Sequence, residues 1–495
     1  MSRLKQVRLP DSKSLYIRKL IYDFLYLGCI GEIPSDASED IRIVHHCLTC
    51  ISRNAGGRAE QDEYVLIDVR DCGAAYRFLM AVLAVTPGQW QLTGTPRLIQ
   101  RPIEELVEAL RSIGAEIHPC RDGAYSVSTA DGVIPHIDGA HPVSTNENCD
   151  CWQIRGKNLH ASELTIDCSR SGQFASALWL ISQKIGLKKL HVLPENPSSA
   201  AYISMTQVIM DGGADLNANR MGDWSAAVYW YAYLLLSQQN RDKKRQNDTS
   251  TDGTVSSCLT DVPDSYKLLH LDLRSIQSDA ALARWFANWG VVSRQEEDGV
   301  VIEFGEDIDI QNDVNESDVG SVDRKDNNQE DTIELDMSQN LDLVPVLACM
   351  ACIWPKKMVF NGVSNLKYKE SDRLKIIQEE LSEFSKIELN VYDGIDDNQL
   401  VVNPICSRDG ACPVSDDDVA IPGRDVPWRV STNENCSNKS PIAFSFDAHN
   451  DHRFVMGFSL FALKGKVQIK GFDCVRKSYP NFKAEGVVAG PDVVG

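Results

Sequence analysis

Apolar residues recur at helical spacing in four places along the chain, each followed by a short turn and an extended segment. In residues 102–117, Ile103, Leu106, Val107 and Leu110 line one helix face, and Gly114 with Ala115 makes the turn. The outline returns in 199–216, with Gly213 and Ala214, and in 278–292, with Gly290 and Val291. Residues 369–389 follow it without the glycine. Repeated helix–strand units predict a pseudo-symmetric α/β architecture, which alone leaves several folds open. Two further runs, 226–236 and 343–354, are apolar throughout and predict buried helices. Both are shorter than the roughly 18 apolar residues of a membrane span.

Four polar stretches interrupt this pattern: residues 130–150, 237–265, 305–331 and 407–441. They are rich in turn formers or charge, so they predict solvated insertions rather than fold elements. The heptapeptide V-S-T-N-E-N-C occurs twice, at 143–149 and 430–436, both inside insertions. A duplicated surface loop is the plainest account of it.

The 495 residues carry 50 Lys and Arg against 70 Asp and Glu, a net charge of −20. That balance excludes a general nucleic-acid binder, while leaving room for an anionic ligand in a locally basic site. Residues 305–331 hold ten of the acidic residues and two of the basic ones, so one insertion supplies much of the imbalance. The start, Met-Ser-Arg-Leu-Lys, leads into no apolar signal region. Fifteen cysteines, odd in number and mostly in apolar segments, predict reduced thiols. The Cys47-x-x-Cys50 pair, with His45 and His46 beside it, has no second pair at zinc spacing, and residues 40–51 read as a helix that spreads these side chains around it.

Candidate chemistry gathers in short basic clusters. L-P-D-S-K-S at 9–14 opens a helical run over 15–27, placing Lys13, hydroxyls and free N–H groups at a helix start, with Arg18 one turn on from Ser14. This fits an anion site and equally an ordinary helix start with solvated cations. D-C-G-A-A-Y-R at 71–77 places Gly73 where a ligand could approach backbone N–H groups, though glycine there also serves helix packing. Arg101 follows in T-P-R-L-I-Q-R-P. N-L-K-Y-K-E-S-D-R at 365–373 is denser: a helix from about Lys369 would place Glu370 between Lys369 and Arg373, as an acid/base group or as part of a salt-bridged surface. H-N-D-H-R at 449–453 opens an apolar helix whose start favours anions, and Lys477 lies in R-K-S-Y-P near the C-terminus.

In this order, L-P-x-S-K-S-x-x-x-R, C-G-A-A-Y-R, T-G-x-P-R-x-x-x-R-P-I, S-x-Q-F, N-x-K-x-K-E-S-D-R-L, N-D-H-R and R-K-S-Y-P, the set resembles the EPSP synthase family of enolpyruvyl transferases. The resemblance runs from about Leu9 to Phe482. It implies an α/β (α+β) fold of two domains, an inside-out α/β barrel with three βαβαββ repeats per domain and the active site in the interdomain cleft. Residues 1–12 and 223–495 would form one domain and 13–222 the other. The implied reaction moves the enolpyruvyl group of phosphoenolpyruvate to the 5-hydroxyl of shikimate 3-phosphate, with no metal and no organic cofactor. A cytoplasmic monomer with these two small-molecule substrates, and neither nucleic acid nor membrane as partner, is the expectation.

By position, the resemblance assigns shikimate 3-phosphate to Lys13, Ser14, Arg18, Ser171, Gln173, Ser199, Tyr202, Asn365 and Lys369. Phosphoenolpyruvate falls to Lys13, Gly73, Arg101, Gln173, Arg373, Arg453 and Lys477. Asp342 matches the base that takes the 5-hydroxyl proton, and Glu370 the donor to C3 of the enol. The chain departs from the family pattern at Asp11, Ile17, Gly172 and in 71–75, where Asp71 adds a negative charge beside an anion pocket and Ala74 removes a hydroxyl. Two alternatives share the fold. One is the UDP-N-acetylglucosamine enolpyruvyl transferases, whose loop cysteine has Cys120 as its nearest counterpart here. The other is a relative that binds without turnover.

Overall fold

A computed structural model describes residues 4–56, 64–120, 151–195, 200–212, 220–247, 263–305, 332–391, 398–404, 443–482 and 493–494. Ser199, the turn at Gly213 and Ala214, both V-S-T-N-E-N-C copies and all or most of each polar insertion lie outside the described residues. The chain divides into two compact units. Unit 1 comprises Met1–Leu9, Trp224–Leu273 and Ala281–Gly495; unit 2 comprises Pro10–Asp223 and Arg274–Ala280.

After β1 (Leu4–Arg8) the chain enters unit 2 through α1 (Lys13–Tyr22) and α2 (Glu39–Asn54). The helix foreseen over 15–27 begins two residues earlier and changes to a π-turn at Asp23–Leu27, which Gly28 closes in a left-handed conformation. Next come β2 (Val65–Asp68), α3 (Gly73–Val85), β3 (Gly88–Thr93), the single turn α4 (Pro96–Ile99), α5 (Glu104–Ser112), β4 (Glu116–Cys120) and β5 (Cys151–Gly156). Their sheet has the order β2-β3-β5-β4, with β2 parallel to β3 and β5 antiparallel to both its neighbours. This is one βαβαββ repeat. A second starts with β6 (Glu163–Asp167), α6 (Gln173–Leu180), α7 (Ser182–Ile185), β7 (Lys189–Leu193), which is parallel to β6, and α8 (Ala200–Met210).

Helix α3 is buried from Ala75 to Val85, apolar on every side except for Arg77, whose guanidinium is hydrogen-bonded. In α5 only Leu106, Val107, Ala109 and Leu110 are buried, and charged residues hold its outer face. The segments on which the chain enters and leaves unit 2 are bonded side by side, Ser12 N to Met221 O at 2.6 Å and Asp223 N to Pro10 O at 2.9 Å.

Unit 1 resumes with α9 (Trp224–Asn247), which corrects the insertion expected from residue 237: the helix continues through 237–247, with Ser237 buried and bonded to Tyr233 O. Next come β8 (Ser265–Leu269), α10 (Leu282–Ala287), β9 (Val291–Glu296) and β10 (Gly299–Phe304). Its first sheet is β1-β8-β10-β9, with the same parallel and antiparallel pairings as the sheet in unit 2. The pattern returns in β11 (Thr332–Asp336), α11 (Val344–Ile353), β12 (Lys357–Asn361), α12 (Arg373–Leu381), β13 (Ser385–Asn390) and β14 (Gln399–Pro404), ordered β11-β12-β14-β13. The last sheet joins β15 (Ala443–Asp447), β16 (Lys466–Lys470) and β17 (Val493–Val494) in parallel, with α13 (His452–Ser459) as the first crossover. Helices α11 and α13 pack closely because Gly457 has no side chain: a Cβ there would stand 2.7 Å from Cys349 Sγ and 3.1 Å from Pro345 O.

The cysteines correct one expectation. Cys120 and Cys151 oppose each other across β4 and β5 and are joined in a disulfide, with Cα atoms 5.2 Å apart. Antiparallel pairing supplies the Cα spacing a disulfide needs, a relation that sequence separation conceals. Cys47 is buried under α2 with its thiol facing Asp68 O at 3.5 Å, and burial raises its pKa. No group of three or more His, Cys, Asp or Glu among the described residues is placed to hold a metal.

Candidate active site

In unit 2, α1 delivers Lys13 and Arg18 to different surroundings. Lys13 Nζ lies 3.1 Å from Asp40 Oδ2, in the first turn of α2. Arg18 is only 3% exposed. Its Nε donates to Thr206 Oγ1 at 2.7 Å, Nη1 to Ser14 O at 2.8 Å, and Nη2 to Ser176 Oγ and Tyr202 O, both at 3.3 Å. The guanidinium lies 5.0 Å from the Phe78 ring centroid and 5.9 Å from that of Tyr202. Every one of these partners is neutral, and no carboxylate among the described residues pairs with Arg18. Burial lowers its pKa to about 10, so it stays charged at neutral pH. A buried cation held only by dipoles is costly unless an anion completes it.

A second group forms where α3 meets α6. Cys72 caps α3, its sulfur accepting from Ala75 N, so the helix opens at Gly73. A Cβ on Gly73 would stand 2.5 Å from Arg101 Nη1 and 3.3 Å from Arg77 Nη1, so the absent side chain makes room for two guanidinium groups. Arg77 donates to Gln173 Oε1 at 2.8 Å and to Gly73 O and Pro102 O, both at 3.3 Å. Gln173 is the first residue of α6, and its N–H bonds Ser171 Oγ at 3.3 Å. Thus Gly73, Arg101, Gln173 and Ser171 come together, while Ser14, Arg18 and Tyr202 form the neighbouring group, linked through Ser176, one turn along α6. Ser199 lies outside the described residues.

In unit 1 the centre is Arg373, which is fully buried. Its Nη1 is 2.8 Å from Asp342 Oδ1, Nη2 is 2.8 Å from Glu370 Oε2, and Nε is 2.8 Å from Asp451 Oδ2. Lys369 Nζ lies 3.4 Å from Asp342 Oδ1, and Arg453 Nη2 4.0 Å from Asp342 Oδ2. Burial alone would raise the Asp342 pKa; Lys369, Arg373 and Arg453 outweigh it and hold the carboxyl well below the usual range. Asp342 lies in the 3-10 turn Leu341–Leu343 that opens α11, and Arg453 in the first turn of α13. The close packing of these helices at Gly457 is what brings the two side chains together.

The helix foreseen from Lys369 is corrected. Ser364–Tyr368 is a 3-10 turn, Lys369 is extended, and α12 starts at Arg373, with Asp372 capping it through Lys375 N at 3.1 Å. An Asp one residue before the first helical position is a strong cap, and it overrides the charge spacing. Lys369 and Arg373 still meet at Asp342, through a bend rather than a shared helix face. Asn365 is half-buried in that 3-10 turn, and Lys477 half-buried at the end of another, Phe472–Lys477.

Three supporting residues escaped the sequence reading. Asp451 is fully buried; it caps α13 through Arg453 N, accepts from Ser371 Oγ and grips Arg373. Asp40 holds Lys13, and Arg77 holds Gln173. N-D-H-R contained a capping signal, Asp before a helical run; the other two pairings span 27 and 96 residues and left no local trace.

The family model described as EPSP synthase (3-phosphoshikimate 1-carboxyvinyltransferase) matches residues 40–219, 285–403 and 435–485. A 3-phosphoshikimate 1-carboxyvinyltransferase of Bacteroides fragilis is 28% identical, with 96% of this chain and 93% of that protein covered. The protein of that name from Vibrio vulnificus is 26% identical over 96% of this chain and 94% of its own. The solved EPSP synthase of Acinetobacter baumannii superposes with a TM-score of 0.52 at 14% identity, covering 99% and 96% of the two chains, and so shares the fold. With well over half of its length matched by the family model and that fold in both sequence and structure, the chain belongs to the EPSP synthase family, with its two-domain inside-out α/β architecture.

Proposed function

We propose that this chain transfers the enolpyruvyl group of phosphoenolpyruvate to the 5-hydroxyl of shikimate 3-phosphate, releasing phosphate, as a step of aromatic amino-acid biosynthesis. One observation carries the reading. Asp342 and Glu370, the two carboxylates suited to proton traffic, each bond a different Nη of one buried arginine, both at 2.8 Å. A phosphate-binding guanidinium with a proton acceptor on one prong and a proton donor on the other fits an addition that moves two protons at once.

In this reading Arg18, Ser14, Ser171, Gln173, Ser199 and Tyr202 hold shikimate 3-phosphate, joined by Asn365 and Lys369. The neutral partners of Arg18 leave its charge for a phosphate dianion. Phosphoenolpyruvate is held by Lys13, Gly73, Arg101, Gln173, Arg373, Arg453 and Lys477. Asp342 takes the proton from the 5-hydroxyl as its oxygen attacks C2. Glu370 delivers a proton to C3, giving a tetrahedral intermediate. Phosphate then leaves as the methyl group loses a proton. The fixed cations stabilise charge that moves from the enol onto the departing phosphate.

The UDP-N-acetylglucosamine reading loses support, since Cys120, its nearest counterpart for a loop cysteine, is tied to Cys151. No helix among the described residues is long and apolar enough to cross a membrane. A cytoplasmic, monomeric enzyme is part of the proposal. Purified protein mixed with both substrates should release phosphate. Release only with the sugar nucleotide as acceptor, or with neither acceptor, would overturn it.

A further inference from the structure

The anion site of unit 1 is already occupied by the protein's own carboxylates. Lys369, Arg373 and Arg453 face Asp342, Glu370 and Asp451, three cations against three carboxylates. An incoming phosphate or carboxylate that binds Arg373 competes there with Asp342 and Glu370 for its Nη groups.

The three carboxylates differ in how they can respond. Asp451 is fully buried and fixed in place by Arg373 Nε, Ser371 Oγ and Arg453 N. The side chains of Asp342 and Glu370 keep 18% and 25% of their surface exposed. Asp342 accepts from Nη1 and Glu370 from Nη2, which Asp451 Oδ1 also approaches at 3.4 Å. Asp342 and Glu370 are the two that a ligand could displace. A displaced carboxylate loses a cation and gains an anion as neighbour, and both changes favour its protonated form. Among the described residues, Lys369 and Arg373 from the segment that carries Glu370, and Asp451 and Arg453 from α13, are charged groups that face the pair. Lys477 closes the 3-10 turn Phe472–Lys477, which also carries Cys474.

Resting on the assignment of Arg373 to phosphoenolpyruvate, we propose that binding of phosphoenolpyruvate drives uptake of a proton from water onto the Asp342–Glu370 pair, held by Glu370. The ligand thereby loads the acid that will protonate it. Glu370 passes this proton to C3 while Asp342 takes the 5-hydroxyl proton. On elimination the methyl proton returns to Glu370, the C–O bond to phosphate breaks, and the phosphate receives the proton from Asp342. When phosphate departs, Arg373 closes again on Glu370, and the borrowed proton goes back to water. Over a full cycle the 5-hydroxyl proton ends on phosphate and none is consumed.

The test is calorimetry of phosphoenolpyruvate binding to the full chain in the presence of 5-deoxyshikimate 3-phosphate, which lacks the attacking hydroxyl. Titrations at one pH in buffers of different ionisation enthalpy should show uptake of about half to one proton per ligand bound. Glu370→Gln should still bind, with proton uptake falling close to zero, which separates uptake by the protein from protonation of the ligand. The wild-type Kd should weaken by up to about tenfold per pH unit on the alkaline side, where Glu370→Gln changes much less. Measurable binding without proton uptake, or equal uptake in Glu370→Gln, overturns the proposal and leaves the assignment of the site standing. Absence of binding at millimolar ligand overturns the assignment itself, and the proposal with it.

Discussion

Two arginines, each expected to hold an anionic substrate, live in opposite surroundings. Arg18 is buried among hydroxyls and carbonyls, with no carboxylate partner among the described residues, whereas Arg373 is ringed by three carboxylates. On the proposed reading the first offers its charge to an anion, and at the second an anion competes with carboxylates already bound. Gly73 shows how narrow the tolerance is beside Arg101. Gly73→Ala should push the Arg101 guanidinium aside and raise the KM for phosphoenolpyruvate about tenfold, the worth of one weakened charged hydrogen bond. Steady-state kinetics with each substrate varied would check it, with the KM for shikimate 3-phosphate changing far less. Asp71 is half-buried two residues before Gly73, so on the proposed reading it adds a negative charge near the same ligand. Asp71→Asn should lower the KM for phosphoenolpyruvate, and an unchanged value would show that this charge is screened from the ligand.

At the scale of elements, helix starts carry most of the candidate site: Lys13 opens α1, Gly73 α3, Gln173 α6, Arg373 α12, and Arg453 lies in the first turn of α13. Orphan N–H groups and the positive end of each helix dipole make such positions suited to anions. This much was legible in the sequence, because small or capping residues precede apolar runs at each place. The start of α12 was misplaced, since Asp372 as a cap outweighs the i,i+4 spacing of Lys369 and Arg373. The disulfide was not legible at all, because opposition of Cys120 and Cys151 depends on strand register across 31 residues. Closing a loop of that length should stabilise unit 2 by about 3–4 kcal/mol on the chain-entropy account. Replacing both cysteines by serine should lower the denaturant midpoint accordingly, and the wild type should match the variant once reductant is added. Equal midpoints without reductant would show that the bond contributes nothing.

At the scale of the molecule, apolar periodicity showed repeated helix–strand units but not the βαβαββ order, which the family resemblance supplied; among the described residues three four-stranded sheets share one strand order. The net charge of −20 described the surface and concealed a balance of cations and carboxylates around Arg373. That balance has a consequence for stability. The Asp342 pKa is depressed in the folded chain relative to the unfolded one, so its ionised form stabilises the fold above about pH 4. The contribution is lost as pH falls below that range, so Asp342→Asn should flatten the acid limb of a stability-versus-pH curve. An acid limb as steep as that of the wild type would contradict the ion-pair account. The central claim is that Asp342 and Glu370, set on one guanidinium, carry the protons of an addition followed by an elimination. Turnover of both substrates in deuterium oxide, with the product's vinyl group read by proton NMR, tests this most directly. Protonation at C3 makes a freely rotating methyl group, so solvent deuterium should enter the product's vinyl positions. Asp342→Asn and Glu370→Gln should each slow turnover by about a hundredfold or more. A product formed at full rate with no deuterium in its vinyl group would contradict it.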